Sequence, residues 1–395
     1  MLPDIIDGFA GPGGWSQGLR LLGLRDLGLE WDASACQTRA AAEHLTVRCD
    51  VAQYPTAPFI GRTRGQIWSP PCQAWSRAGK RRGLLDQTLV HQATHDLAHG
   101  RDTRAALLEQ CKDKRSLLAA EPMRWLHDLR PEWVCMEEVP DVLPLWKQYA
   151  LYLRGWGYSV WTGVLNSADY GVPQTRSRAI LIASRIRRVT APEPTHAEHA
   201  TQPTLFGEGR LPWVSMAEAL QLDSGQVVNT RGERKTAGGN EFPADEPSRA
   251  LTGRTRSWTL HTRRGHVRKD GQRQLIDPER QPSPTITTKT GEQWVLRSNS
   301  QAKAAVRTLQ QPASTLFFGH RCNEVAWTDG TAKRPITQAE AAVIQTFPAD
   351  YPWQGSKTRQ FEQIGNAVPP LLAAHIVSAA TGAAFVGDTA HQDAA

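Results

Sequence analysis

From residue 4 to residue 183, short apolar runs alternate with helical stretches. The runs predict strands at 4–7, 27–32, 66–69, 133–136 and 179–183, with a first helix at 16–22. Because strands that alternate with helices form βαβ units, we predict an α/β fold around a mainly parallel sheet. In such sheets, ligands bind beyond the carboxyl ends of the strands. The turn after Asp7, the loop after Trp68 and the pair Glu137-Glu138 all lie at predicted strand ends.

The alternation stops near the proline-rich stretch 191–195. A weak threefold repeat follows at 246–252, 281–287 and 311–317, and a tryptophan comes after each unit. Short runs led by proline and rich in threonine favour strands and turns, so we predict a smaller, irregular, β-rich domain. Beyond it, Thr337 and Glu340 have capping-box spacing, which predicts a helix start.

The chain has 395 residues, enough for two domains, and 22% of them are charged. No apolar run approaches the roughly 20 residues of a membrane helix, and no secretory signal is visible. The six cysteines form no CxxC pair and no zinc-ligand spacing. We therefore expect no metal site, no membrane contact and a reducing, cytoplasmic setting.

Positive charge is concentrated in one segment. Residues 225–335 hold 19 Lys and Arg against 10 Asp and Glu, whereas the rest of the chain has a net charge of −2. Such a segment is typical of polyanion binding, and a merely solvated basic surface is the alternative.

Cys72 follows two prolines and precedes a run of cations at Lys80, Arg81 and Arg82. Nearby cations lower the pKa of a thiol and favour the thiolate, so Cys72 is a candidate nucleophile. A buried cysteine in an ordinary turn is the alternative.

Residues 7–14 form a glycine-rich turn after the first strand, and its spacing is not that of a dinucleotide fingerprint because residue 16 is serine. Glu30 and the adjacent Trp31 lie at the end of the predicted strand 27–32, and Asp50 lies at the end of a candidate third strand. Acids there can accept hydrogen bonds from ribose, and a tryptophan can stack on a purine. Together these residues predict an adenosine site, although each alone could be a surface acid or a core aromatic.

Five blocks occur in a fixed order: Phe-Ala-Gly-x-Gly-Gly from Phe9, Pro-Cys-Gln from Pro71, Glu-x-Val from Glu137, Gln-x-Arg-x-Arg from Gln174 and Gly-Asn-Ala-Val-Pro-Pro from Gly365. In this order they resemble the DNA (cytosine-5) methyltransferases of prokaryotic or phage type. The resemblance implies the Rossmann-like sheet of class I methyltransferases with a target-recognition domain. It also implies methyl transfer from S-adenosylmethionine to C5 of a flipped-out cytosine in duplex DNA.

The same resemblance implies a domain plan. The catalytic domain would comprise 1–188 and 360–384, with an insertion at 86–112. The target-recognition domain would comprise 189–330, followed by a connecting segment at 331–359 and a flexible tail at 385–395.

Residue roles also follow from the resemblance. Cys72 would attack cytosine C6, Glu137 would act at the N3 edge, and Arg178 would hold O2 with support from Arg176. The expected cofactor residues are Phe9, Gly11, Gly13, Gly14, Glu30, Trp31, Asp50, Pro71, Leu117, Asn366 and Ala367. The candidate DNA contacts are Gln73, Ser76, Lys80, Arg81, Arg82, Arg254, Arg256, Arg263, Arg264 and Lys289.

One departure concerns Glu138, because the family usually has asparagine after the glutamate. Two adjacent ionised carboxylates would repel each other, so one pKa should rise. An RNA cytosine-5 methyltransferase and an inactive DNA-binding protein remain as alternatives. We expect a monomer associated with the nucleoid, with a companion restriction endonuclease as a possible partner in a restriction-modification system.

Overall fold

The computed structural model describes residues 3–71, 75, 82–203, 208–221, 227–229, 259–261, 295–297, 306–308, 310–314, 326–328 and 333–386. Within these residues, a seven-stranded sheet forms the centre of the fold. Its strands are β1 (Ile5–Gly8), β2 (Leu27–Glu30), β3 (Leu45–Arg48), β4 (Gly65–Trp68), β5 (Trp133–Glu138), β6 (Ser159–Asn166) and β8 (Ser177–Ser184). A short strand, β7 (Gln174–Thr175), lies outside this sheet.

The strand order is β3-β2-β1-β4-β5-β8-β6. Strands β1 to β5 are parallel to one another, and β8 is antiparallel to both β5 and β6. This mainly parallel, Rossmann-like sheet confirms the predicted fold class.

Helices cover both faces of the sheet, as the alternation of strands and helices predicted. The α-helices of the described residues are α1 (Gly14–Arg20), α2 (Ala33–Ala41), α3 (Arg82–Leu85), α4 (Gln87–Ala98), α5 (Arg104–Leu108), α6 (Glu121–Leu129), α7 (Leu143–Gly155), α8 (Met216–Leu220), α9 (Gln338–Ile344), α10 (Lys357–Asn366) and α11 (Pro370–Thr381). Short 3-10 helices occur at Ala57–Phe59, Lys114–Ala119, Pro140–Val142 and Ser167–Tyr170.

The two cores follow the period-two alternation of the strands. On one face, Val134 and Met136 pack with α4, α6 and α7. On the other, Trp133 and Cys135 pack with α1 and α11. Residues Lys357–Thr381 are apolar enough to cross a membrane by length and composition, but 67% of their most apolar 18-residue window is buried within the fold. Packing in the core accounts for its composition.

The remaining strands are short and lie beyond residue 190. They are β9 (His196–Ala197), β10 (Leu211–Pro212), β11 (Val227–Asn229), β12 (Thr259–His261), β13 (Val295–Arg297), β14 (Val306–Thr308), β15 (Ala313–Ser314), β16 (Ala326–Thr328) and β17 (Lys333–Pro335). Strands β14, β13, β16 and β17 form an antiparallel sheet, and β15 pairs with β7 in parallel. The predicted domain boundaries stay predictions.

Several predicted elements have different ends in the structure. Glu137 and Glu138 lie inside β5 rather than after it, because they pair with Ile180 and Ala179 of β8. The antiparallel ladder therefore extends the strand two residues beyond its predicted end at Met136. The capping box of Thr337 and Glu340 is confirmed at the start of α9.

Candidate active site

A cavity of about 940 Å³ opens at the carboxyl ends of the five parallel strands. The residues that follow β1, β2, β3 and β4 line one part of it, and the end of β5 with the start of β8 lines another. The predicted site residues that line it are Phe9, Gly11, Gly14, Glu30, Trp31, Asp50, Pro71, Leu117, Glu137, Arg176, Arg178, Asn366 and Ala367. The fold thus brings the predicted adenosine site and the predicted base site into one space.

The glycine-rich turn leaves room at one side of this cavity. Phe9 has a φ of 59° and Gly11 a φ of 52°, so the chain turns through the left-handed region directly after β1. A Cβ at Gly11 would meet no atom within 4 Å, whereas one at Gly14 would lie 2.2 Å from the carbonyl oxygen of Val368. Gly11 therefore borders open space, and Gly14 permits close packing of α1.

Gly13 is the one predicted cofactor residue that does not line the cavity. A Cβ there would lie 2.9 Å from the side chains of both His44 and Tyr351, and its φ is 105°. Gly13 therefore lets the turn pack closely against those two rings. The spacing of the motif alone does not distinguish a glycine needed for packing from one that contacts a ligand.

Glu30 is fixed by its own surroundings. Its Oε2 accepts a hydrogen bond from Gly11 N at 2.7 Å, and its Oε1 accepts from Trp31 N and Asp32 N at 2.8 and 2.7 Å. Burial raises the pKa of Glu30, and these three backbone donors oppose the rise. A carboxylate has about four acceptor positions, so one remains on Oε2 for a ligand hydroxyl. The adjacent Trp31 side chain is 68% exposed.

The other part of the cavity is built on an ion pair. Arg178 Nε lies 2.9 Å from Glu137 Oε1, and Arg176 Nη2 lies 3.9 Å from the same oxygen. Arg176 also donates to the carbonyl oxygen of Gly365 at 2.8 Å, which connects β8 to the end of α10. The side chains of Glu137, Arg176 and Arg178 are largely buried. Because little water screens them, the attraction between their charges is stronger than at the surface.

Glu138 is the buried acid that follows Glu137 in β5. Its side chain is buried, Oε2 accepts a hydrogen bond from Val139 N, and Oε1 has no hydrogen-bond partner among the described atoms. Burial raises the pKa of Glu138 well above its usual range, and the charge of Glu137 adds to the rise. The raised pKa favours the neutral carboxyl of Glu138, a polar group at the position where the family usually has asparagine.

A buried ion network, which the sequence did not reveal, supports the glycine-rich turn. Arg39 contacts Asp26 at 3.0 Å and Asp7 at 3.8 Å, and its Nη1 donates to Ser16 Oγ at 2.8 Å. Ser16 in turn donates to Asp26 at 2.9 Å. The network joins β1, α1 and α2 beneath the turn. No local motif marks it, because its members are distant in sequence.

The insertion also contributes to the cavity, which the sequence did not predict. Asp102, Arg104, Ala105 and Leu108 line it, together with Glu121 at the start of α6. Other predicted residues lie outside the described part of the chain. These are Cys72, Gln73, Ser76, Lys80, Arg81, Arg254, Arg256, Arg263, Arg264 and Lys289, and Arg82 is described only as backbone in α3.

The sequence matches the model of the C-5 cytosine-specific DNA methylases over residues 4–93 and 104–381. The chain belongs to this family. DNA cytosine-5 methyltransferase is therefore its enzyme class, and the family implies a methyl donor of the S-adenosylmethionine type.

Among its relatives, this DNA methylase is 25% identical over 394 residues to the type II methyltransferase M1.HphI of Haemophilus parahaemolyticus, covering 95% of this chain and 85% of that one. It is 25% identical over 406 residues to the type II methyltransferase M.DdeI of Desulfomicrobium norvegicum, covering 94% and 86%.

A solved structure shares the fold of this methylase. It is a "putative DNA modification methyltransferase encoded within prophage" of Escherichia coli, at 18% identity, with a TM-score of 0.51 and coverage of 96% of this chain and 98% of that one.

Proposed function

We propose that this methylase transfers a methyl group from S-adenosylmethionine to C5 of a cytosine flipped out of duplex DNA, and that Cys72 forms a transient bond to C6. The cavity that joins Glu30 and Trp31 to Glu137 and Arg178 carries this proposal. Methyl transfer needs donor and acceptor side by side, and one shared space allows it.

The residues around Glu30 fit a nucleoside-containing methyl donor. Glu30 offers a remaining acceptor position, Gly11 borders open space, and Trp31 presents an exposed ring for stacking. When bound, the donor would supply an electrophilic methyl group. Glu30, Trp31 and Asp50 would bind and orient its nucleoside part.

The opposite part of the cavity fits a cytosine. Arg178 would donate hydrogen bonds to O2, and Glu137 would face N3 while held by the same arginine. Addition of the Cys72 thiolate to C6 creates electron density at C5 and negative charge on the ring. A proton donated by the Glu137 carboxyl to N3 would offset that charge, and it would return to Glu137 when the aromatic ring is restored. After methyl transfer, loss of the C5 proton expels the thiolate and restores the aromatic ring.

The described cysteines support Cys72 as the nucleophile because none of them is activated. Burial raises the pKa of Cys49 and Cys111 to about 11, and it raises the pKa of Cys36 and Cys135 as well. A protonated thiol is a poor nucleophile. Cys72 combines a family motif with neighbouring cations, and it directly follows Pro71, which lines the cavity.

Trapping tests the proposal. With duplex DNA in which 5-fluorocytosine replaces every cytosine, the wild-type protein and S-adenosylmethionine should give a complex stable to denaturant, because fluorine blocks the final proton loss. Cys72→Ser should give none, whereas Cys111→Ser should trap as the wild type does. Absence of a complex with the wild-type protein would overturn the proposal.

The same assay with RNA tests the alternative substrate, and a complex on RNA but not on DNA would favour it. We further propose that the basic segment reads a specific sequence and that a companion endonuclease shares it. Bisulfite sequencing of DNA from cells that express the chain should then show one methylated sequence. Methylation at all cytosines would contradict sequence reading.

A further inference from the structure

The segment that the family model does not match, residues 94–103, leads directly into one wall of the cavity. It connects α4 to α5 and is held by Asp96, which accepts hydrogen bonds from Arg101 and Thr103 at 2.8 and 2.9 Å. Gln92 donates to the same carboxylate at 2.9 Å. These bonds lower the pKa of Asp96 to about 2, so at neutral pH the carboxylate is charged and can accept from all three donors.

Arg104, the first residue of α5, connects this segment to another wall of the cavity, the loop that contains Ala52. Its guanidinium contacts Asp102 at 2.8 and 2.7 Å, donates to the carbonyl oxygen of Ala52 at 2.8 Å and pairs with Glu121. Ala52 belongs to the loop 50–54, which follows β3 and begins with Asp50. One arginine thus holds the inserted segment, α6 and this loop together.

A second arginine completes the arrangement. Arg124 donates to Glu121 at 2.6 Å and to the carbonyl oxygens of Val51 and Tyr54 at 2.9 and 3.0 Å. Glu121 is 1% exposed and lies between the two guanidinium groups. Three carbonyl groups of the loop 50–54 are therefore fixed by two arginines that share one buried carboxylate.

We propose that residues 94–108 form an additional wall of the methyl-donor subsite, and that Arg104 is a positioning residue that holds the loop 50–54 against the nucleoside of the donor. The proposal rests on the proposed function, because it assigns this part of the cavity to S-adenosylmethionine. Ala105 and Leu108 supply the surface of the wall, and Arg104 acts through the loop.

Calorimetric binding of S-adenosylhomocysteine tests the wall directly. Ala105 and Ala106 are neighbouring, exposed residues of α5, but only Ala105 lines the cavity. Ala105→Trp should weaken binding about tenfold or more, which is about 1.4 kcal/mol. Ala106→Trp should bind as the wild type does. Equal affinity of both variants for S-adenosylhomocysteine would overturn the proposal that this segment forms a wall of the donor subsite.

Arg104→Ala tests the positioning role. We expect the Kd for S-adenosylhomocysteine and the KM for S-adenosylmethionine to rise about tenfold, with kcat at saturating donor and DNA affinity within about twofold. Arg104→Lys should restore part of the affinity, and Arg62→Ala, which removes an exposed arginine that does not line the cavity, should change neither quantity. A parallel fall in donor affinity, kcat and DNA affinity would indicate a merely structural role and overturn the assignment.

The outcomes separate the two proposals. A wild-type protein that binds no S-adenosylhomocysteine and traps no 5-fluorocytosine DNA would contradict the proposed function itself. A wild-type protein that does both, with Ala105→Trp and Arg104→Ala unchanged in affinity, would contradict only the role of residues 94–108. If Arg104→Ala does not fold, the comparison of Ala105→Trp with Ala106→Trp still decides the wall.

Discussion

Glu138 imposes a cost on the folded state that depends on pH. Its side chain is 1% exposed, and one carboxyl oxygen has no hydrogen-bond partner among the described atoms. Burial raises the pKa of Glu138 well above the ordinary value of 4.5. At a pH between the unfolded and the native pKa, folding therefore takes up a proton. Between the two pKa values, this group lowers the free energy of unfolding by about 1.4 kcal/mol per pH unit.

Glu138→Gln keeps the volume and the polar character of the side chain but cannot ionise. At a pH below the unfolded pKa, the variant and the wild type should differ little in this respect. Above the unfolded pKa, the free energy of unfolding of the variant should exceed that of the wild type by about 1.4 kcal/mol more for each pH unit, until the pH passes the native pKa. A native pKa two units above the unfolded one would thus give a difference of about 2.7 kcal/mol. Urea denaturation followed by tryptophan fluorescence, from about pH 4 to about pH 8, measures the difference.

Glu109→Gln is the matched control, because Glu109 is exposed at the end of α5. Its difference from the wild type should stay flat over the same range. A flat curve for Glu138→Gln, or a variant less stable than the wild type at neutral pH, would refute the inference that Glu138 is buried in its neutral form.

Three further predictions concern the turn and the donor subsite. Arg39→Met should lower the free energy of unfolding by about 3–5 kcal/mol in urea, because it leaves buried carboxylates without their cation; an unchanged midpoint would contradict this. Gly14→Ala should lower the melting temperature, since its Cβ would lie 2.2 Å from the Val368 carbonyl, whereas Gly155→Ala meets no atom within 4 Å and should not. Trp31→Ala should weaken S-adenosylhomocysteine binding in calorimetry by about 1–3 kcal/mol if the ring stacks on the purine, and equal affinity would exclude stacking.

The sheet and most of the cavity lining could be predicted because their signals are local. An apolar run followed by glycines or an acid places that residue at the carboxyl end of a strand, as Gly11 and Glu30 show. The family motifs supplied Glu137 and Arg178 in the same way, and the structure brings them into contact.

The rest could not be predicted, because it depends on contacts between distant residues. Arg39 of α2 contacts Asp7 of β1 and Asp26, which precedes β2, and nothing near Arg39 in the sequence marks these contacts. The segment at 86–112 looked like a separate addition because it is polar. The contact of Arg104 with Ala52, 52 residues earlier, is what places it at the cavity.

The direction of strand β8 has a consequence for chemistry. Because β8 runs against β5, it begins at the edge where β5 ends, so its second residue, Arg178, meets Glu137. The six steps along the strand from Arg178 to Ser184 span about 20 Å at about 3.3 Å per residue. If β8 ran the other way, the guanidinium of Arg178 would lie at the far edge of the sheet. No side chain is long enough to reach Glu137 from there. The reversed direction of this one strand thus places Arg178 at the cavity. With a parallel strand, a long loop would have to bring an arginine back to the same edge.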